Sequence, residues 1–380
     1  MDDLRERKDA VIRDEMKAPN KLSALAVPLD IEPMEAKLVE ELPDGDWQYE
    51  PKWDGFRCLA FKAGGEVDLK AKSGKPLARY FPEMVETLKR VKARSFVLDG
   101  ELAIVKGGEF SFDALLQRIH PAESRIKRLA AEAPAIFILF DLLLDASGKS
   151  LIEAPLTMRR AALETFFASA KQERALKLSP YTLKLPEAQR WLGQGGTALD
   201  GVVAKLRDGP YVPGERAMMK VKQHRTADCV VGGFRYRTGC REVGSLLLGL
   251  YDADGRLDHV GFTATIANKD RAALTAKLEA LIAPPGFSGK APGGPSRWST
   301  ERTEEWQPLK PKLVVEVSYD QATGNRFRHG TRLVRFRPDK APRQCTLEQI
   351  EPSAKAHRSH AEILRRLDPR LTRLARWPNT

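Results

Sequence analysis

The sequence predicts an α+β protein in which a domain of antiparallel strands and amphipathic helices is followed by a smaller β-barrel. Three observations carry this. From Trp47 to about Lys222, strand-like runs alternate with helical ones. Near Arg225 the pattern turns β-rich, with a single helical insert. The 380 residues, 42% hydrophobic and 30% charged, are enough for two cores.

Residues 1–24 are densely charged and predict a short helix or a disordered arm, with no apolar signal-peptide core. Pro28 and Pro33 punctuate the approach to the first domain. Its strand candidates are Phe96–Leu98, Leu102–Val105, Ile136–Leu144 and Val202–Lys205. "FPEMVETLKRV" and "TMRRAALETFF" read as amphipathic helices, the second with Thr157 as N-cap. Beyond Arg225, "ADCVVGGFRYR", "GSLLLGLYDADGRLDHVGFTA" and "KLVVEVSYD" are strand-rich, and the helical insert spans about Asp270–Ile282. Pro284 to Ser296 is too rich in Pro, Gly and Ser for regular structure and predicts a long loop. A five-stranded barrel with one helix fits this region, and such barrels often bind oligonucleotides. Ile363, Leu364, Leu367, Leu371 and Leu374 fall at helical spacing, interrupted by Pro369, and predict a basic amphipathic tail packed on the barrel or lying on DNA. The expected boundaries are 1–24 for the arm, 25–225 and 226–352 for the two domains, and 353–380 for the tail.

The formal net charge is +12, which favours a polyanionic partner, most simply nucleic acid. No apolar run approaches the ~20 residues of a membrane span. None of the four cysteines stands in a CxxC pair, so neither a zinc ribbon nor a disulfide framework is expected. A reducing cytoplasm, with nucleoid association, is the expected setting.

Aspartate–glycine occurs six times. For Asp44, Asp208 and Asp254 a hairpin turn is an adequate reading. The others keep unusual company. In "YEPKWDGFRC", Lys52 and Asp54 would share one face of a strand while Trp53 points into a core. "FVLDGELAIV" sets Asp99 and Glu101 in an apolar run; a hairpin accounts for Asp99–Gly100 but not for Glu101, whose carboxylate needs a partner. "LDGVVAK" carries Asp200 into a strand ending at Lys205, and "IFILFDLLLD" holds Phe140 and Asp141, where core packing is the bland reading. In "MMKVKQHR", Lys220 and Lys222 share a strand face, as edge-guarding lysines also would. "RLVRFRPDKAP" gathers Arg332, Arg335, Arg337, Asp339 and Lys340, with Phe336 between them, in a pattern suited to phosphate.

The order of these pieces resembles the covalent nucleotidyltransferase superfamily of DNA ligases, RNA ligases and mRNA-capping enzymes. "YEPKWDGFR", "RYFPE", "LQRIHPAESR", "RTADCVV", "GSLLLGLYDADG" and "RFRPDKAP" resemble bacterial ATP-dependent DNA ligases of the ligase C type, over roughly Pro33 to Pro352. The resemblance implies an ATP-grasp-like nucleotidyltransferase domain followed by an OB-fold, and sealing of 3′-hydroxyl/5′-phosphate nicks in DNA repair. ATP would be the co-substrate, Mg²⁺ or Mn²⁺ the metal, and nicked duplex DNA the partner of a monomer.

It further implies Lys52 as nucleophile and Asp54 as a group for the later steps, near the reacting 3′ end, and, with Asp200, as a metal residue. Arg57 would contact the nucleotide or the 5′-phosphate, Glu101 the ribose hydroxyls, Phe140 and Glu50 the base, and Lys205 the nucleotide. Asp200 would hold the metal, Lys220 and Lys222 the α-phosphate, and Arg337 and Lys340 the departing pyrophosphate. Two positions depart from the pattern. Asp200 stands where glutamate is common, and Lys72, where arginine is usual, is a point charge without bidentate reach. An RNA ligase, a capping enzyme or a non-catalytic nucleic-acid clamp are the alternatives; the intact Lys52, Glu101, Lys220 and Lys222 argue against the clamp. An NAD-dependent ligase would need a further upstream region and a zinc module, so ATP is the expected donor.

Overall fold

The computed structural model describes residues 21–106, 109–194, 199–222, 225–293, 305–351 and 365–368. Its strands and helices fall into two units, Met1–Val221 with Arg358–Thr380, and Lys222–His357. The first unit contains β1 (Ala36–Leu38), β2 (Trp47–Trp53), β3 (Phe56–Ala63), β4 (Glu66–Ala71), α1 (Pro82–Arg90), β5 (Ser95–Lys106) and β6 (Glu109–Phe110). It continues with α2 (Phe112–Arg118), α3 (Glu123–Glu132), β7 (Ala135–Leu144), α4 (Leu156–Ser169), β8 (Leu176–Leu178), α5 (Leu185–Gln194) and β9 (Leu199–Leu206). β10 (Met218–Lys222) runs to the division between the units.

These strands form two sheets, ordered β4-β3-β5-β7-β8 and β1-β10-β9-β2. Pairing is antiparallel at β3–β5, β5–β7 and β2–β9, and parallel at β7–β8 and β1–β10. The continuous apolar run in β7 follows from burial on both faces. On one side Phe137 and Leu139 meet Met84 and Leu88 of α1 and Leu163 and Phe166 of α4. On the other, Ile136 and Ile138 pack with Tyr49, Trp53, Val202 and Trp191. Strands covered twice lose the period-two alternation of half-exposed ones.

Two local expectations fail. β5 is one strand, so Asp99–Gly100 is not a hairpin. Gly100 serves clearance instead, because a Cβ there would lie 2.5 Å from the Ile138 carbonyl oxygen. α4 starts at Leu156 with Pro155 as N-cap, and Thr157 spends its backbone N–H on the Arg207 carbonyl. The proline fixes φ where the helix must turn in, so a hydroxyl cap is dispensable.

The second unit contains β11 (Arg225–Tyr236), β12 (Val243–Tyr251), β13 (Leu257–Thr263), α6 (Arg271–Glu279), β14 (Gln307–Pro308), β15 (Val314–Tyr319), β16 (Ala322–Thr323), β17 (Arg326–Phe327) and β18 (Arg332–Phe336). Its main sheet is β13-β12-β11-β15-β18, with β14 paired to β11. Leu274 and Leu278 of α6 enter the core with Val230, Leu246 and Leu248. The described part of the long loop holds no strand or helix, and it inserts Phe287 where Gly232 and Gly249 leave room.

The tail expectation is only partly testable, since residues 352–364 and 369–380 lie outside the described residues, as do 1–20. Where the tail is described, it packs on the first unit. Leu367 is buried beside Trp191, Arg366 pairs with Glu187 at 2.6 Å, and Asp368 forms a buried ion pair with Lys177.

Candidate active site

Two β-bulges build the site. Along β2 and β9, Lys52 faces Gly201, and the register then slips so that Trp53 faces Leu199. Asp200 is the residue skipped. A bulge re-aims its side chain, and the Asp200 carboxylate forms an ion pair with Lys52 Nζ. Gly201, at φ +144°, supplies a backbone path that other residues rarely adopt. The same device occurs between β5 and β7, where Asp99 faces Asp141, Gly100 faces Leu139, and Phe140 is skipped. Phe140 is thereby only half-buried within an otherwise buried strand and lines a cleft. At Gly55 the turn from β2 into β3 approaches β5 so closely that a Cβ would lie 2.2 Å from the Leu102 carbonyl oxygen. Trp53 does point inward, donating from Nε1 to Ser179 Oγ at 2.9 Å.

The cleft, about 220 Å³, brings together eight of the sequence-predicted residues: Glu50, Lys52, Arg57, Lys72, Glu101, Phe140, Lys205 and Lys220. Two cations lie against the Phe140 ring, the Arg57 guanidinium 4.8 Å and the Lys205 ammonium 4.7 Å from its centre. Lys205 pairs with Glu50 at 2.9 Å and donates to the Phe140 carbonyl at 3.2 Å; Glu50 also accepts from Gln48 at 2.7 Å. Both side chains of that pair are buried, so removing either would leave the other's charge without its partner.

Arg57 is anchored from beneath. It donates to Asp99 at 2.6 and 2.5 Å and to the Met34 carbonyl at 3.1 Å. Asp99, fully buried, also accepts from the Tyr211 hydroxyl at 2.7 Å, which in turn accepts from the Met34 N–H at 2.9 Å. Burial disfavours the charge of Arg57, but the Asp99 carboxylate outweighs it and raises its pKa. Burial pushes Glu101 up to about 8, against the opposing pull of Lys52 and Arg57 and with help from Asp54 and Asp99. At the rim, Lys72 pairs with Glu35 at 2.8 Å, and this hydrogen bond holds the Glu35 carboxyl below its ordinary range.

The remaining predicted residues do not line this cleft. Asp200 joins it through Lys52, and Asp54 acts on it through the charge felt at Glu101. Lys222 pairs with Asp320 at 2.6 Å within the second unit. Arg337 and Lys340 belong to that unit too, 2.9 and 2.6 Å from Asp228. Sequence reasoning missed Glu35, Tyr211 and Asp228, and gave Asp99 no partner. Glu35 and Asp228 carry no local signal. Tyr211, in "DGPYVPG", reads as a turn residue, and its link to Asp99 spans 112 positions.

Residues 25–222 match the family model of the ATP dependent DNA ligase domain, and residues 239–340 that of the ATP dependent DNA ligase C terminal region. The chain belongs to the ATP-dependent DNA ligases. Within that family it is 44% identical over 340 residues to DNA ligase C1 of Mycolicibacterium smegmatis, covering 86% of this chain and 95% of that one. To DNA ligase C of Mycobacterium tuberculosis it is 40% identical over 341 residues, covering 84% and 94%. The resemblance to the ligase C type is borne out. The solved structure Pmar-Lig_PreS3 has a TM-score of 0.54 at 16% identity, over 80% of this chain and 68% of that one, a likeness of fold alone.

Proposed function

We propose that this protein seals nicks in duplex DNA with ATP as donor, through an AMP held covalently on Lys52. One observation carries the reading: the Lys52 amine, gripped by the bulged Asp200, shares a cleft with an aromatic ring set out of a buried strand for a base. Lys52 Nζ gives up a proton to the Asp200 carboxylate that holds it and attacks the α-phosphorus of ATP; a P–N bond forms, the bond to the β-phosphate oxygen breaks, and pyrophosphate leaves. AMP then passes to the 5′-phosphate, and the 3′-hydroxyl displaces it as the phosphodiester forms. Splitting one displacement into three lets each use an activated phosphate.

In this reading Phe140 stacks on adenine, with Glu50 and Lys205 along the base edge. Glu101 meets the ribose hydroxyls, Lys72 and Arg57 the phosphates, and Lys220 and Lys222 the charge developing on the α-phosphate. Asp200 and Asp54 would hold Mg²⁺ or Mn²⁺. Such hard cations take oxygen ligands, often one or two carboxylates with phosphate and water completing the shell, a donor set these aspartates fit. The metal would neutralise phosphate charge. Arg337 and Lys340, on an OB-fold formed by the second unit, orient the pyrophosphate when that unit closes during the first step. The OB reading is supported by a bridge between Thr263, at the end of β13, and Thr331, before β18, which links the two ends of the sheet.

A singly nicked, 5′-phosphorylated DNA duplex with ATP and Mg²⁺ tests the reading. Wild type should join the strands and Lys52→Ala should not. Joining of RNA strands alone, or joining that survives Lys52→Ala, would refute it.

A further inference from the structure

Arg337 and Lys340 are the cations assigned above to pyrophosphate, and both are held by one carboxylate. Asp228 Oδ1 accepts from Arg337 Nη1 at 2.9 Å, and Oδ2 from Lys340 Nζ at 2.6 Å. The carboxylate is itself fixed. Asp228 stands in β11 opposite Glu316 of β15, and Gln349 grips its main chain from both sides, accepting from its N–H at 3.0 Å and donating to its carbonyl at 3.1 Å. Asp339 holds the other edge of Arg337, at 3.0 and 2.8 Å. Glu316 lies 3.9 Å from Arg337 and pairs at 2.6 Å with Arg335.

We infer that Asp228 is a positioning residue for the first step of the reaction: it sets Arg337 and Lys340 as a pair, aimed together, before the triphosphate arrives. The inference rests on the proposed role of those two cations. Two long cationic side chains would otherwise repel one another and sample many rotamers, and ordering them at the moment of reaction costs rate. One carboxylate that receives a nitrogen from each removes both problems in advance. The side chains of Arg337 and Lys340 stay 20% and 23% exposed, so the pair is held without being sealed in. Preorganised charge aimed at a leaving group is worth more than charge that must reorient. Asp228 touches no substrate in this scheme; it acts through Arg337 and Lys340.

The test uses the full chain and three readouts: Lys52 adenylylation across ATP concentration, single-turnover sealing of a nick that already carries 5′-AMP, and thermal melting. Asp228→Asn keeps shape but loses the charge and turns an amide toward one of the cations. It should lower the adenylylation rate at saturating ATP by about tenfold, with sealing of the pre-adenylated nick within about twofold of wild type. Asp228→Glu should recover part of the loss. Gln349→Leu, which leaves the carboxylate but frees its main chain, should show a smaller loss confined to the same step, and it serves if Asp228→Asn folds poorly. Equal losses in both assays, following the melting temperature, would mean that Asp228 only supports the fold and would overturn the inference. Normal adenylylation by Asp228→Asn while Arg337→Ala is crippled would overturn it and leave the role of the cations standing. Normal adenylylation by Arg337→Ala would remove that role and the inference with it.

Discussion

Burial pushes the Glu101 carboxyl up, because the water it loses is only partly replaced by Lys52 and Arg57. Its pKa rises from 4.5 to about 8. The stability it contributes is therefore whole below pH 4.5 and is lost as pH rises through about 8. Wild type should melt at progressively lower temperature from pH 6 to pH 9, and Glu101→Gln should show a flatter profile; parallel profiles would mean that Glu101 is ionised in the free protein. Tyr211 offers a second test at this scale. Its hydroxyl ties Asp99 to the Met34 backbone, and Asp99 carries Arg57. Tyr211→Phe should cost about 1–2 kcal/mol of stability by urea titration. It should also slow adenylylation, because the guanidinium over Phe140 loses part of its support; an unchanged rate would detach Tyr211 from the site.

Bulges explain why the sequence reveals its site residues more readily than their geometry. Asp200 and Glu101 are legible as carboxylates out of place in apolar runs, whereas Phe140 reads as core and is marked only by the family resemblance. Their orientation is not legible, because a bulge depends on the partner strand, 148 positions away for Lys52 and Asp200. Asp99–Gly100 shows the resulting error: aspartate–glycine is a turn signal in isolation, yet here it lies in mid-strand and the glycine clears a neighbouring backbone. Gly201→Ala tests the bulge. It must strain a φ of +144° or straighten the strand. It should cost about 1–3 kcal/mol and weaken Lys52 labelling; a variant as stable and active as wild type would mean that the bulge does not aim Asp200. The partner of the described tail segment escapes sequence reading for a similar reason, since Asp368 finds Lys177 191 positions away. Both side chains are buried, and removing one leaves the other charge uncompensated. Asp368→Ala should lower stability by about 3 kcal/mol in urea titration, whereas a loss below the error of the titration would show that the segment is not docked in solution.

At the scale of the whole molecule, a net charge of +12 and a second unit carrying Arg326, Arg328, Arg332, Arg335 and Arg337 on and around β17 and β18 support the expectation that DNA is held mainly through its phosphates. The dissociation constant for a nicked duplex should rise by about tenfold or more between 50 and 200 mM salt, as expected when several phosphates are neutralised. A constant insensitive to salt would contradict the charge reading. In the proposed scheme every later step depends on one chemical event, the transfer of AMP onto the Lys52 amine. The most direct measurement is therefore of that bond: incubate the protein with labelled ATP and Mg²⁺, denature it, and map the adduct by peptide mass spectrometry. AMP on the peptide containing Lys52, released by acid but stable to alkali, and absent from Lys52→Ala, is the predicted result; AMP on any other residue, or labelling undiminished in Lys52→Ala, would contradict it.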